Sequence, residues 1–223
     1  LHVLTHSFPT RRSSDLKFLK INILELGRLK GVMLKRKITK QLWDWKSAKK
    51  KKCLLVLGAR QVGKTYAVQN FGKSAYKEML TINFKERETD RSIFEGDLSV
   101  DSMLTALRFR YPNMKFIPGQ TLIFLDEIQE CPEAITSLKF WTIDGRFDLI
   151  ASGSLLGIDY KRSSSYPVGY VEYLRMFGLD FEEFLWAKGV EEDLISKLYD
   201  LFCEQIPVSD AIHSAMMSYL REY

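Results

Sequence analysis

The chain has 223 residues, 46% hydrophobic and 27% charged, with a formal net charge of +5. That is the composition of a folded chain of one or two domains, and with no apolar run of about 20 residues no membrane span is expected. Cys53, Cys131 and Cys203 are odd in number and lack CxxC spacing. They exclude a disulfide framework and a zinc-finger pattern and point to a reducing, cytoplasmic setting.

The first residues carry most of the excess charge. His6–Leu16, HSFPTRRSSDL, coincides with one reading frame of a common sequencing-library adapter oligonucleotide. About the first 16 residues are therefore expected to be an assembly artefact rather than evolved protein. Residues 17–32 read as leader translated in frame, and Met33 is the expected start. Residues 1–32 hold six Lys/Arg and two Asp/Glu, which leaves +1 for Met33 onward. His2 and His6 fall in the same leader and are not read as ligands.

From Met33, Leu34, Ile38, Leu42 and Trp45 recur at helical spacing. Lys49–Lys52 is an unbroken lysine run, read first as a solvated linker and second as a contact for a phosphate backbone. Cys53–Leu57 is a short apolar run closed by Gly58, a buried-strand pattern. A helix is expected over 65–71 and a second strand over 79–84. A helix over 99–110, a third strand over 121–125, a helix from Pro132 to Trp141 and a fourth strand over 147–152 follow. Tyr170–Phe177 reads as a fifth strand. Strands alternating with helices predict an α/β fold with a parallel sheet covered by helices. Asp180 and Glu183 have the spacing of a capping box. Beyond them the pattern is helical to Tyr223, with a break near Pro207 and no C-terminal cap signal. The chain reads as cut off there.

Gly58-Ala59-Arg60-Gln61-Val62-Gly63-Lys64-Thr65 satisfies GxxxxGK[ST] between a predicted strand and a predicted helix, the context a phosphate-binding P-loop requires. Glycines let such a loop curl its N–H groups onto phosphate oxygens, and the positive end of the helix, running on through Tyr66, adds to them. Lys64 is expected on the β- and γ-phosphates of ATP and Thr65 on Mg²⁺. Leu122–Leu125 then delivers Asp126 to a strand's carboxyl end, as a Mg²⁺ ligand, with Glu127 as base or orienter for an attacking water. In Asp148–Ser154, Ser152 or Ser154 can reach a γ-phosphate or the attacking water. Arg146, Arg162 and Arg175 are candidates for a catalytic arginine; spacing does not choose among them. Cys203, His213 and the tryptophans read as core or surface residues.

GARQVGKT, LIFLDEIQECPEA, LIASGSLLGI and SSYPVGYVEYLRMFGLDFEEFLWAKG together resemble the bacterial and archaeal AAA-type ATPases that carry a C-terminal domain of unknown function. The resemblance runs from about Met33 to Tyr223. It implies an AAA+-like core with the P-loop strand central (33–178), then a small helical, winged-helix-like segment (179–223) that is incomplete here. It also implies nucleotide binding at Gly58–Thr65, Mg²⁺ and hydrolysis roles for Asp126 and Glu127, and a sensor role for the Ser152–Ser154 region. Family members continue beyond the position of Tyr223, and Gly169-Tyr170 stands where many have Gly-Lys. The expected activity is ATP hydrolysis, slow in isolation, that moves a protein partner or the C-terminal domain. The alternative is a nucleotide-gated module that binds DNA or protein, with hydrolysis incidental. A small-molecule kinase is disfavoured, since Asp126-Glu127 suits the activation of water and no acceptor lid is evident.

Overall fold

The computed structural model of the protein describes residues 34–154 and 167–223. The expectations for residues 1–32 and for Arg162 lie outside the described residues. The chain forms two compact units, Arg36–Asp180 and Phe181–Tyr223 together with the segment ending at Lys35.

In the larger unit the elements run α1 (Lys37–Ser47), β1 (Cys53–Gly58), α2 (Lys64–Ala75), β2 (Glu78–Asn83), a 3₁₀ segment (Glu88–Phe94) and α3 (Val100–Arg110). They continue with β3 (Thr121–Asp126), a 3₁₀ turn (Ile128–Glu130), α4 (Pro132–Asp144), β4 (Asp148–Ser154) and β5 (Val171–Met176). The five strands make one sheet in the order β2-β3-β4-β1-β5, every pair parallel. The P-loop strand β1 is thus an interior strand, held between β4 and β5.

Burial explains why the interior strands are apolar throughout. All six residues of β1 and of β3 are buried, because helices cover both faces of the sheet. The edge strands β2 and β5 instead mix buried and partly exposed positions. Alternate side chains on each strand feed two cores. Leu54 and Val56 of β1, Leu122 and Phe124 of β3, and Ile150 of β4 pack with Ile38, Leu42, Val68 and Phe71 from α1 and α2. Cys53, Leu55 and Leu57, with Ile123, Leu125, Leu149 and Ala151, pack on the other face with Leu104, Leu107, Leu138 and Trp141 from α3 and α4. Fully burying one such leucine is worth about 1.5–3 kcal/mol.

The helix after the loop is longer than its local pattern predicts, starting at Lys64 and ending at Ala75. Its last turn is secured by Phe71, which sits edge-on to Trp43 and Tyr76 at ring distances of 5.4 and 6.0 Å. The three cysteines are free, and burial pushes the Cys53 thiol up to about 12.

In the smaller unit, α5 (Phe181–Ala187), α6 (Glu192–Cys203) and α7 (Asp210–Glu222) follow one another. Phe184 and Leu185 are buried, and the rings of Phe181 and Phe184 each lie 5.5 Å from that of Tyr223. Lys188 pairs with Glu222 at 2.5 Å. Residues 181–223 contain no strand. Among the described residues no helix is long and apolar enough to cross a membrane.

Candidate functional site

In a parallel sheet the carboxyl ends of all strands lie on one side, where open α/β folds bind ligands. That side gathers the end of β1 with the loop 58–65, Asn83 at the end of β2, Asp126 at the end of β3, and Ser152 to Ser154 at the end of β4.

Two glycines explain the course of the loop. A Cβ on Gly58 would fall 2.2 Å from the Met176 carbonyl oxygen of β5, so only glycine lets the two strands approach there. Gly63 takes φ +97°, a left-handed conformation that side chains disfavour, and from it the chain turns into α2. Gln61 also has positive φ, at 67°. No side chain caps the N-terminus of α2, so its first-turn N–H groups point out of the helix as a cradle for an anion.

Lys64 is buried, 7% exposed, and its Nζ donates to the Gly58 and Ala59 carbonyls at 3.0 and 2.8 Å. Burial pulls its pKa below the usual lysine value, while the nearby negative charges of Glu127 and Asp126 work the other way. Arg60, Gln61 and Tyr66 are exposed, and Val62 is half-buried.

Asp126 is 2% exposed and receives four hydrogen bonds. Thr65 Oγ1 donates at 2.8 Å and Asn83 Nδ2 at 3.3 Å to one oxygen; Ser152 Oγ and the Glu127 N–H, at 3.2 Å, donate to the other. A buried carboxylate needs such partners to stay charged. Thr65 from the loop and Asp126 from β3 are thus in direct contact.

Glu127 has φ +53°, an uncommon left-handed conformation for a residue with a side chain. Its carboxylate accepts a hydrogen bond from Gln129 Nε2. Gln129 Oε1 in turn accepts the Ser154 N–H at 3.3 Å. Ser152 therefore touches the site directly, and Ser154 does so through its backbone.

The arginine candidates divide. Arg146 lies just before β4, at the opposite end of the sheet, where it pairs with Asp101 and Asp144 at 2.6 and 2.8 Å. Those carboxylates raise its pKa further, and it is not a residue of this site. Arg175 is exposed on the edge strand β5, in register with Leu57.

Three contributors escape motif reading. Arg36, just before α1, donates to the Val62 carbonyl at 3.1 Å and to the Phe177 carbonyl at 2.8 Å. Asn83 and Gln129 contact the acidic pair. Asn83 has a weak signal, a polar residue ending a strand; Arg36 has none in its local pattern.

A parallel sheet with helices on both faces, a P-loop closing its second-last strand, and an acidic pair ending β3 define the class of AAA-type P-loop ATPases. The sequence profile described as AAA domain matches residues 50–185, more than half of the chain. The chain belongs to that family. No curated protein sequence matches it. Among solved structures it is similar to a chain in the structure of Drosophila ORC bound to DNA, at 12% identity and a TM-score of 0.49. The alignment covers 88% of this chain and 56% of that one, so this chain spans little more than half of its length.

Proposed function

We propose that the protein binds ATP with Mg²⁺ and hydrolyses it, and that the cycle drives a conformational change in a protein partner or in a C-terminal domain. The observation that carries this reading is the 2.8 Å hydrogen bond from Thr65 to Asp126. It joins the phosphate loop to the strand end that also presents Glu127. Thr65 and Asp126 would offer a cation two protein oxygens. That suits Mg²⁺, which takes one or two protein ligands and completes its shell with phosphate and water.

In this reading the N–H groups of residues 58–65 and the first turn of α2, through Tyr66, hold the phosphates. Lys64 leaves its loop carbonyls to bind the terminal phosphates. Thr65 and Asp126 would hold Mg²⁺, which would supply screening of phosphate charge and polarisation of the terminal phosphoryl group. Glu127 accepts a proton from the attacking water as the bond to the ADP oxygen breaks. Ser152 keeps Asp126 oriented, and Ser154 is assigned to contact the terminal phosphate or the attacking water. We assign residues 33–178 to the ATPase domain and 179–223 to the start of a winged-helix-like segment, and we place the protein in the cytoplasm.

The test is a Mg-ATP titration with a turnover assay on wild type, Lys64→Ala and Glu127→Gln. Lys64→Ala is expected to lose about 10- to 200-fold in affinity, the loss of charge-assisted contacts worth roughly 1.5–3 kcal/mol. Glu127→Gln is expected to bind ATP but turn over about 10²- to 10⁴-fold more slowly. Unchanged turnover in Glu127→Gln removes Glu127 from the chemistry.

A second reading rests on the lysine run. Lys49, Lys50 and Lys52 are exposed, and none pairs with a described acid. They lead into the start of β1, at the end of the sheet away from the phosphate loop. Three unpaired cations on one turn of chain suit a nucleic-acid backbone. DNA binding that weakens steeply with salt, and is lost in a triple Lys→Glu variant with ATP affinity intact, supports a nucleotide-gated DNA module. Salt-insensitive or absent binding rejects it.

A further inference from the structure

The acidic pair at the end of β3 is held in two different ways. Asp126 is buried under four donors, two of them on the strands beside it. Glu127 is half-buried, and its side-chain partner comes from its own turn, two residues further on. That turn is firmly anchored. Ile128 is fully buried, the Glu130 N–H bonds to the Glu127 carbonyl at 3.0 Å, and the Cys131 N–H bonds to the Ile128 carbonyl at 3.0 Å. The left-handed backbone at Glu127 sets the direction in which the turn leaves the strand.

Gln129 stands between two groups of opposite hydrogen-bonding character. The Ser154 N–H can only donate, so the amide oxygen of Gln129 must face it. An ionised Glu127 carboxylate can only accept, so the amide nitrogen must face Glu127. Both partners demand the same orientation, and the observed contacts satisfy both. The amide therefore has one setting, and with it the engaged Glu127 oxygen. The other Glu127 oxygen makes no hydrogen bond to a described residue.

We propose that Gln129 is a positioning residue for hydrolysis. It holds one Glu127 oxygen so that the other is presented to the attacking water, and it ties that orientation to the end of β4 through Ser154. A shift of the Ser154 backbone then moves the base, which gives the β4 end a mechanical route to the chemistry. This rests on the ATPase reading above. A purely structural role for Gln129 is the competing explanation. It predicts that its loss weakens any variant equally, whereas action through Glu127 predicts an effect only when Glu127 is present.

The experiment is a double-mutant cycle over Glu127→Gln and Gln129→Ala, read by single-turnover hydrolysis of pre-bound Mg-ATP, with ATP affinity measured separately. Gln129→Ala is expected to leave affinity at the wild-type value and to slow hydrolysis by about 10- to 100-fold, the scale for an orienting partner. In the Glu127→Gln background the same change is expected to have no further effect. Gln129→Met keeps the side chain's length without its amide and replaces alanine if that variant fails to fold. Wild-type hydrolysis in Gln129→Ala or Gln129→Met, beside a slow Glu127→Gln, overturns this inference and leaves the ATPase reading standing. Equal losses in both backgrounds also overturn it. A wild type that binds ATP and never turns it over, or a Glu127→Gln variant as fast as wild type, overturns the catalytic reading first and this inference with it.

Discussion

The Arg36 guanidinium meets the Val62 carbonyl at 3.1 Å, although 26 positions separate the two residues. The same guanidinium reaches the Phe177 carbonyl, just beyond β5, at 2.8 Å. One planar group thus ties the phosphate loop to the segment that leaves the sheet. Its fork geometry allows two acceptors at once, which a lysine ammonium on a flexible stem does not hold in fixed directions.

Arg36→Ala is expected to loosen the loop and to weaken ATP binding by about 3- to 30-fold, since hydrogen bonds involving a charged group are worth about 1.5–3 kcal/mol each and only part of that passes to the ligand. Arg36→Lys should recover only part of the loss. Calorimetric titration of both variants checks the order; wild-type affinity in Arg36→Ala shows that the loop holds its shape without the tie.

Asp126→Asn distinguishes charge from shape. One Asp126 oxygen accepts from Thr65 and Asn83, the other from Ser152 and the Glu127 N–H. An asparagine must turn its NH₂ toward one pair, so a donor there always faces a donor. Stability is expected to fall by about 1–3 kcal/mol, the cost of a buried polar group left unsatisfied. Removing Mg²⁺ with a chelator should weaken ATP binding in wild type and have little effect in Asp126→Asn. Chelator-insensitive binding by wild type speaks against a cation at Thr65 and Asp126.

Much of this site is written in local pattern. Gly58–Thr65 and Leu122–Glu127 each carry their meaning in a contiguous stretch, because a strand end and the loop after it are covalently fixed to one another. The interior strands are legible for the same reason: burial on both faces demands an unbroken apolar run, as in Cys53–Leu57. Arg36 and Gln129 act through contacts set by how the chain packs, 141 positions apart for Arg36 and Phe177 and 25 for Gln129 and Ser154. No periodicity encodes such a meeting. Arg146 illustrates the converse. It stands close in sequence to a site strand, yet it precedes that strand, so the parallel sheet puts it at the wrong end.

Alkaline pH should act through Tyr111. Its hydroxyl donates to Asp90, which is fully buried and also takes a 2.8 Å hydrogen bond from Arg110. Burial, then the hydrogen bond and the charge of Asp90, push the Tyr111 hydroxyl up to about 12. The folded state thus keeps this proton more tightly than the unfolded state, where a tyrosine titrates near 10. The stability it contributes is fully present below about pH 10 and is lost as pH rises towards 12. Denaturant midpoints measured across this range should fall less steeply in Tyr111→Phe. An identical slope assigns the alkaline loss to other groups, of which the buried Cys53 thiol is the first to test.

Asp148, at the start of β4, lies at the far end of the sheet from the phosphate loop, and it should govern stability without touching ATP. One of its oxygens accepts from Lys51 Nζ at 2.6 Å and from the Tyr76 hydroxyl at 2.7 Å. The Lys46 ammonium lies 3.7 Å from the centre of the Tyr76 ring. Asp148 is the better shielded member of the ion pair, with its side chain 11% exposed against 29% for Lys51. Its removal therefore strands a half-buried hydroxyl, whereas Lys51 can turn to water. Asp148→Ala is expected to cost about 1–3 kcal/mol, a fall in Tm of about 2–12 °C for a chain of this size. Lys51→Ala should cost no more than about 1 kcal/mol, the range of an ion pair with one exposed partner. Both variants should bind Mg-ATP as wild type does once folded. Equal losses in the two variants would mean that the Lys51 ion pair, and not the Tyr76 hydrogen bond, carries the stabilisation by Asp148. A change in ATP affinity in either would mean that the two ends of the sheet communicate.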